Sequence, residues 1–200
     1  MSSKPQLIFD MGGVLVTNLT PPFWQDLADQ YSIPYETLRA KYKQNVGATL
    51  WSGGISEEDF WLWLIREFPT IQIETAQKFL ELNLKPLPAI KHLSKWSLHA
   101  DIHILSNHRD EWLKPILKDI KESLKTVYVS SNIGISKPDV RIFEHVHASF
   151  NYKHKILFVD DKEKNLEEAA KLGWQVLLAD EHGEWVEEVD VFLERNKNKT

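Results

Sequence analysis

The stretch QLIFDMGGVLV, residues 6 to 16, decides how the rest of the chain is interpreted. Its apolar run at residues 7 to 9 is too short for a helix and is bounded by turn-forming residues, which predicts a buried strand. Open α/β sheets bind ligands at the carboxyl ends of their parallel strands, and Asp10 lies at such an end. Gly12 and Gly13 then allow a sharp turn and a close approach of the main chain to a ligand. The stretch therefore predicts a strand that delivers a carboxylate to a site.

The composition is that of a soluble globular protein: 42% of the 200 residues are hydrophobic and 26% are charged. The net charge of −5, with both signs interspersed, predicts neither nucleic acid nor an anionic membrane as a partner. The chain has no cysteine, which excludes thiol catalysis, thiolate zinc sites and disulfide bonds. We find no apolar run long enough to cross a bilayer and no secretory pattern ahead of Asp10, so we expect a cytoplasmic protein.

The order of the predicted elements indicates an α/β fold with an insertion. Residues 20 to 83 carry helix signals, such as Ser56 followed by three acidic residues at the start of an apolar helix. Beyond Pro86, helix and strand patterns alternate, which is typical of a parallel sheet with helical crossovers. We therefore predict a Rossmann-like parallel sheet with helices on both faces. Its core comprises residues 1–18 and 85–200, and residues 19–84 form an inserted helical cap.

The element boundaries follow from the same signals. Beyond the first strand, strands are predicted near 102–105, 126–130, 155–161 and 174–180. Helices are predicted near 22–31, 34–45, 56–68, 74–83, 88–96, 109–120, 139–149, 163–172 and 185–195. Gly173 ends the penultimate helix, as glycine commonly does.

Polar residues stand at, or just after, the carboxyl ends of the predicted strands, the side of the sheet where sites form. They are Asp10, Ser106 with Asn107, Lys137, and Asp160 with Asp161. Adjacent carboxylates repel one another and need a cation, and a donor set of oxygens without cysteine points to Mg²⁺. Lys137 and the Ser106 hydroxyl suit an anion such as a phosphoryl group, and so does the Asn107 backbone N–H, which is expected at the start of a helix.

In this order and with these neighbours, the motifs resemble those of haloacid dehalogenase-type hydrolases, a superfamily of mostly magnesium-dependent phosphatases. The resemblance covers nearly the whole chain, and the insertion is similar to the small helical cap of that family. It implies a phosphomonoesterase that acts on a small phosphorylated metabolite, such as a sugar phosphate, through an aspartyl-phosphate intermediate. The partner would be that small-molecule substrate, and the protein would be a monomer or a homodimer.

The resemblance also implies a role for each site residue. Asp10 matches the nucleophile, Ser106 the hydroxyl that holds the phosphoryl group, and Lys137 the lysine between nucleophile and phosphate. Mg²⁺ would be held by Asp10, the Gly12 carbonyl, Asp160 and Asp161, with Asp160 the surer direct ligand.

The sequence departs from that family at Gly12, where most of its phosphatases have a second aspartate that acts as general acid and base. Such a group contributes about 10²- to 10⁴-fold to the rate, so its loss slows an enzyme without abolishing turnover. Two alternatives stay open for this reason. One is a metal-independent 2-haloacid dehalogenase, and the other is a non-catalytic phosphate-binding or regulatory protein.

Other residues have two interpretations. Trp51, Trp61 and Trp63 are expected to pack within the cap or against the core, with an aromatic wall for a ligand as the alternative. His108 is expected in a solvated loop, although it follows Ser106 and Asn107 closely enough to face a ligand.

Overall fold

The computed structural model describes residues 4–150, 155–180 and 182–197. Its centre is a parallel sheet of five strands in the order β3-β2-β1-β4-β5. The strands are β1 (Gln6–Phe9), β2 (Asp101–Ser106), β3 (Thr126–Val129), β4 (Ile156–Asp160) and β5 (Gln175–Leu178). The strand that contains the opening motif is thus the middle one, and the predicted α/β fold with a parallel sheet is confirmed.

The middle strands are apolar on both faces because helices cover both sides of the sheet. Leu7 and Phe9 face one hydrophobic cluster, which continues into the inserted helices. Ile8 faces a second cluster, which is completed by apolar side chains of the helices beside β4. A carboxylate directly after β1 therefore emerges from the densest part of the molecule.

The helices agree closely with the expected pattern. They are α1 (Pro22–Tyr31), α2 (Tyr35–Asn45), α3 (Gly47–Trp51), α4 (Glu57–Glu67), α5 (Ile73–Asn83), α6 (Leu93–Ser97), α7 (Asp110–Ile120), α8 (Ser130–Ile133), α9 (Val140–His147), α10 (Glu163–Lys171) and α11 (Val186–Lys197). The short helices α3 and α8 were not expected, because four or five residues are too few to show a periodic pattern. The predicted helix at 88–96 is instead a 3-10 turn, Pro88–His92, followed by α6.

Helices α1 to α5 lie between β1 and β2 in the chain. The predicted start of α4 is confirmed, since Ser56 and Asp59 form a reciprocal capping box. Trp61 and Trp63 are buried, so they pack inside the protein as expected.

Hydrogen bonds connect this helical segment to the segments that follow β2 and β3, including the first turns of α7 and α8. The Ser130 hydroxyl donates to the Trp51 carbonyl, and Arg109 donates to the Ile55 carbonyl. The Trp112 indole donates to the Glu57 carboxylate. The inserted helices thus sit over the carboxyl edge of the sheet. Among the described residues, no helix combines the length and apolar character that a membrane span requires.

Candidate active site

All the polar residues that the sequence singled out meet at the carboxyl edge of the sheet. Asp10 follows β1, Ser106 ends β2 and Asp160 ends β4, and these three strands are adjacent. The chain crosses from β3 to β4 past β1, so Asp10 and Asp160 stand at the topological switch point, where open α/β sheets bind ligands. A cavity of about 500 Å³ opens there. Its lining includes Asp10, Gly12, Ser106, Asn107, Lys137 and Asp161.

Both oxygens of the Asp10 carboxylate are held in place. The Met11 backbone N–H donates to Oδ1 at 2.6 Å, and the Lys137 ammonium lies 3.1 Å from Oδ2. Asp10 is only 4% exposed, and the side chain of Lys137 is fully buried. The structure therefore presents an ordered, charge-compensated carboxylate to the cavity.

Lys137 bridges two carboxylates. Its ammonium also donates to Asp160 Oδ2 at 2.5 Å and to the Leu105 carbonyl at 2.8 Å. Burial by itself would lower the pKa of Lys137, but the attraction of Asp10 and Asp160 outweighs it, and the pKa lies above its usual value. Lys137 therefore carries a positive charge throughout the physiological pH range.

Asn107 positions the loop that carries Lys137. Its side-chain amide donates to the Lys137 carbonyl and accepts from the Lys137 backbone N–H, both at 2.7 Å. The oxygen and one of the two amide N–H groups of Asn107 are thereby engaged with the Lys137 loop. Helix α7 begins at Asp110, so Asn107 lies before the helix rather than at its start. The expectation of a helix-terminal N–H at this residue was wrong.

Asp160 is fully buried and has its hydrogen-bonding capacity occupied by protein groups. Besides Lys137, the Asn165 amide donates to both of its oxygens, at 2.8 and 2.9 Å. The Lys162 backbone N–H donates to Oδ1 at 2.9 Å. Sequence reasoning missed Asn165, although its place in the first turn of the helix after Asp160 is a signal that could have identified it.

The carboxylate of Asp161, unlike that of Asp160, is only partly hydrogen-bonded. Its Oδ2 accepts from the Asn18 amide at 3.1 Å, whereas its Oδ1 is buried, accepts no hydrogen bond and lies 3.7 Å from the exposed Lys162 ammonium. Carboxylate oxygens of Asp10, Asp160 and Asp161 all lie within 4.8 Å of one another. A metal ion would satisfy this Asp161 oxygen, because a buried carboxylate oxygen without a hydrogen bond is costly and a long ion pair with an exposed lysine compensates it only weakly. Asp161 thus has an oxygen without a hydrogen bond, whereas the oxygens of Asp160, which was expected to be the surer ligand, are both occupied by protein groups.

The two glycines after Met11 differ in what they permit. Gly13 has a left-handed φ of +76°, and a Cβ there would lie 2.5 Å from Asp161 Oδ2, so only glycine lets Asp161 approach this turn. At Gly12 φ is not left-handed, and an added Cβ would meet Asn18 Oδ1 at 2.9 Å. Asn18, which sequence reasoning missed, therefore fills the space beside Gly12 where a second aspartate would extend.

His108 is buried, with 5% of its surface exposed, so the expected solvated loop was wrong. Its ring packs between Trp51 and Trp112, at centroid distances of 5.4 and 5.9 Å. Nδ1 lies 3.3 Å from the Arg109 carbonyl, which can only accept, so this nitrogen carries the proton of the neutral ring. Burial lowers the pKa of His108 to about 4, so the ring is neutral at pH 7 and is a poor proton donor.

The inserted helices form the opposite wall of the cavity. Three side chains on one face of α2 line it, namely those of Arg39, Tyr42 and Lys43, and Trp51 of α3 lies beside them. Of the three tryptophans considered from the sequence, only Trp51 lines this cavity. Burial raises the pKa of Tyr42 to about 12, so its phenol is neutral. This wall therefore combines aromatic surface with two cations.

A comparison with protein-family models finds no match for the chain. Solved structures do resemble it. A HAD family enzyme from Bacteroides thetaiotaomicron has a TM-score of 0.80 at 19% identity, over 94% of this chain and 98% of that one. A predicted HAD-like family hydrolase from Porphyromonas gingivalis has a TM-score of 0.78 at 19% identity, over 96% and 98% of the two chains. A dehalogenase has a TM-score of 0.61 at 21% identity, over 89% and 85%.

The protein therefore has the haloacid dehalogenase-type fold, with an α/β core and inserted helices as in those structures. The Bacteroides enzyme has also been solved in complex with magnesium and inorganic phosphate.

Proposed function

We propose that this protein is a Mg²⁺-dependent phosphomonoesterase that acts on a small phosphorylated metabolite through an aspartyl-phosphate. The observation that carries the proposal is the Asp10 carboxylate, which is held between the Met11 N–H and the Lys137 ammonium at the base of the cavity. A nucleophilic carboxylate needs such orientation, and a transferring phosphoryl group needs the adjacent positive charge. The resemblance of the fold to enzymes of this type supports the same conclusion.

The reaction would proceed in two displacements at phosphorus. An oxygen of Asp10 forms a bond to phosphorus while the bond from phosphorus to the leaving alcohol oxygen breaks, and that oxygen takes up a proton from solvent water. Water then attacks the aspartyl-phosphate, releases inorganic phosphate and restores the carboxylate. Lys137 compensates the negative charge shared by Asp10 and the phosphoryl oxygens, and the Ser106 hydroxyl donates to one of those oxygens.

The donor set fits a hard divalent cation. Asp10, Asp161 and the Gly12 carbonyl would hold Mg²⁺, and Asp160 would position Lys137 and contribute charge nearby. When bound, the ion would neutralise charge on the phosphoryl oxygens. Three carboxylates with oxygens within 4.8 Å of one another, and among them a buried Asp161 oxygen that accepts no hydrogen bond, are difficult to explain in a metal-independent dehalogenase, which is why we favour the phosphatase.

The test is a panel of phosphomonoesters and 2-haloacids, assayed with Mg²⁺ and with chelator. We expect Mg²⁺-dependent release of phosphate by the wild type and none by Asp10→Asn, because a carboxamide is too weak a nucleophile. Lys171→Met, at an exposed ion pair with Glu168 on α10, is a control that should retain the activity. Halide release in chelator would support the dehalogenase instead. Phosphate binding without turnover by the wild type would support a non-catalytic role.

A further inference from the structure

The wall of the cavity formed by α2 carries two cations that have no hydrogen-bond acceptor or anionic partner among the described residues. Arg39 and Lys43 are four residues apart and so lie on one face of the helix, with Tyr42 between them. Within the described part of the chain, neither side chain makes a hydrogen bond or an ion pair with another residue. Unpaired guanidinium groups at partly buried positions are unfavourable, so a ligand anion is the natural partner.

The Arg39 guanidinium is held in place before any ligand binds. Its central carbon lies 5.3 Å from the centre of the Tyr42 ring and 6.0 Å from that of Trp24. Its Nη1 is buried and has no acceptor. Cation–π contacts of this kind orient a guanidinium without using its N–H donors, which stay free for an oxyanion.

At the end of the cavity where phosphoryl transfer would occur, the charged side chains compensate one another without Arg39 or Lys43. Lys137 is neutralised by Asp10 and Asp160, and the metal would neutralise Asp161 and Asp10. Arg39 and Lys43 belong to the opposite wall, and a cavity of about 500 Å³ leaves room for more than a phosphoryl group. Because the two cations line this cavity, a leaving group that extends from the phosphoryl group toward α2 would meet them.

We propose that Arg39 and Lys43 form a second anion site, which binds a carboxylate or a second phosphate on the leaving group of the substrate. The inference rests on the proposed phosphatase function and names its substrate class: phosphomonoesters that carry another negatively charged group. Neutral alcohol phosphates would occupy the same cavity with these cations unpaired.

The test uses three phosphomonoesters of matched length whose far end is a hydroxyl, a carboxylate or a second phosphate. Their kcat/KM values are measured with Mg²⁺ for the wild type, Arg39→Met, Lys43→Met and Lys41→Met. Lys41 lies on the same helix but pairs with Glu67 at 3.1 Å, so Lys41→Met removes the same charge away from the cavity. The same esters are also titrated calorimetrically into Asp10→Asn protein, with and without Arg39→Met, which measures binding without turnover.

We expect the wild type to prefer at least one anionic ester over the neutral one by about 10- to 100-fold, the value of one charge-assisted contact. Arg39→Met and Lys43→Met should reduce that ratio, whereas Lys41→Met should preserve it. The preferred ester identifies the anion as carboxylate or phosphate. Equal use of all three esters by the wild type would overturn the inference, and so would an equal loss on all three in Arg39→Met, which would place Arg39 at the transferred phosphoryl group. If no ester is hydrolysed, the phosphatase function fails, and the calorimetric ratio alone decides whether the anion site exists.

Discussion

At the scale of single residues, Asn18 determines which side chains would fit at position 12. Its side chain donates to Asp161 and stands 2.9 Å from the position of a Cβ on Gly12. An amide cannot supply a proton to a leaving group, so Asn18 occupies the place of a general acid without replacing its chemistry. The backbone at Gly12 would accept a side chain, because its φ is not left-handed.

We therefore expect Gly12→Asp alone to gain little and the double change Gly12→Asp with Asn18→Ala to gain more. The double variant should raise the turnover of simple alkyl phosphates by up to about 10²- to 10⁴-fold and flatten the dependence of kcat/KM on leaving-group pKa. A series of alkyl and aryl phosphates measures both, with Asn18→Ala as the control. If Gly12→Asp by itself reached the activity of the double variant, Asn18 would not be the obstacle.

The burial of His108 makes the free energy of unfolding depend on pH. Its pKa is about 4 in the folded chain, against about 6.5 when exposed to water, because burial disfavours the charged ring. As the pH falls below about 6.5 the unfolded chain takes up the proton first, so the native state loses stability until the pH passes the folded pKa. This residue should cost the wild type about 2 kcal/mol at pH 5 relative to pH 7.5.

The measurement compares the free energies of unfolding of wild type and His108→Phe at both pH values. The phenyl ring keeps the packing against Trp51 and Trp112 and does not titrate, so the difference between the two proteins should shift by about 2 kcal/mol in favour of the variant at pH 5. A difference that is independent of pH would show that the folded ring accepts a proton as easily as the unfolded one.

At the scale of elements, the contact between α3 and α8 fixes the position of one wall of the cavity. We call this contact, made by Trp51 and Gly53 with Ser130 and Ser131, the joint. Gly53 follows α3 with a left-handed φ of +73°, and a Cβ there would collide with the backbone carbonyl of Ser131. That carbonyl belongs to α8, whose Ser130 hydroxyl also donates to the Trp51 carbonyl at 2.5 Å. Because Trp51 lines the cavity, the joint connects the fit of the inserted helices to the shape of the site.

Gly53→Ala should destabilise the protein by more than about 1 kcal/mol, through strain in the backbone and displacement of α3. Gly134→Ala is a matched control, because Gly134 has a φ of +85° but no atom within 4 Å of an added Cβ. Denaturant unfolding of both variants separates the collision from the cost of the backbone angle. An equal loss of unfolding free energy in the two variants would mean that α3 shifts away from Ser131 at no measurable cost.

At the scale of the whole molecule, Mg²⁺ should stabilise the fold. The site joins the turn after β1 to the end of β4, so the ion would bind the native state and not the unfolded chain. A site occupied at a hundred times its dissociation constant adds about 2.7 kcal/mol to the free energy of unfolding. A thermal unfolding series with increasing Mg²⁺ measures this, and the melting temperature of the wild type should rise.

The two adjacent aspartates should differ in that experiment. Asp161→Asn should abolish the Mg²⁺-dependent rise in melting temperature, since the buried carboxylate oxygen that accepts no hydrogen bond belongs to Asp161. Asp160→Asn should retain most of the rise but lose turnover, because Lys137 would lose its closest carboxylate. The opposite pattern would restore Asp160 as the principal ligand.

Local patterns in the chain were sufficient for the fold and for most of the residues that meet at the candidate site. Apolar runs that end in polar residues identified the strands, and the capping box at Ser56 identified the start of α4. Since parallel strands end at one edge of a sheet, the order of the motifs also predicted that Asp10, Ser106 and Asp160 would converge.

Only the tertiary structure shows which groups each side chain contacts. Asp160 and Asp161 are neighbours in the sequence, yet one points to Lys137 and Asn165 while the other points to Asn18 and has an oxygen without a hydrogen bond. Alternation along an extended chain sends consecutive side chains to opposite sides, but only packing decides what lies on each side. In the same way, the burial of His108 depends on Trp51 and Trp112, which contact it across more than one element. Residue types and their spacing thus predict which chemistry is present, whereas long-range contacts decide which atoms are free to perform it.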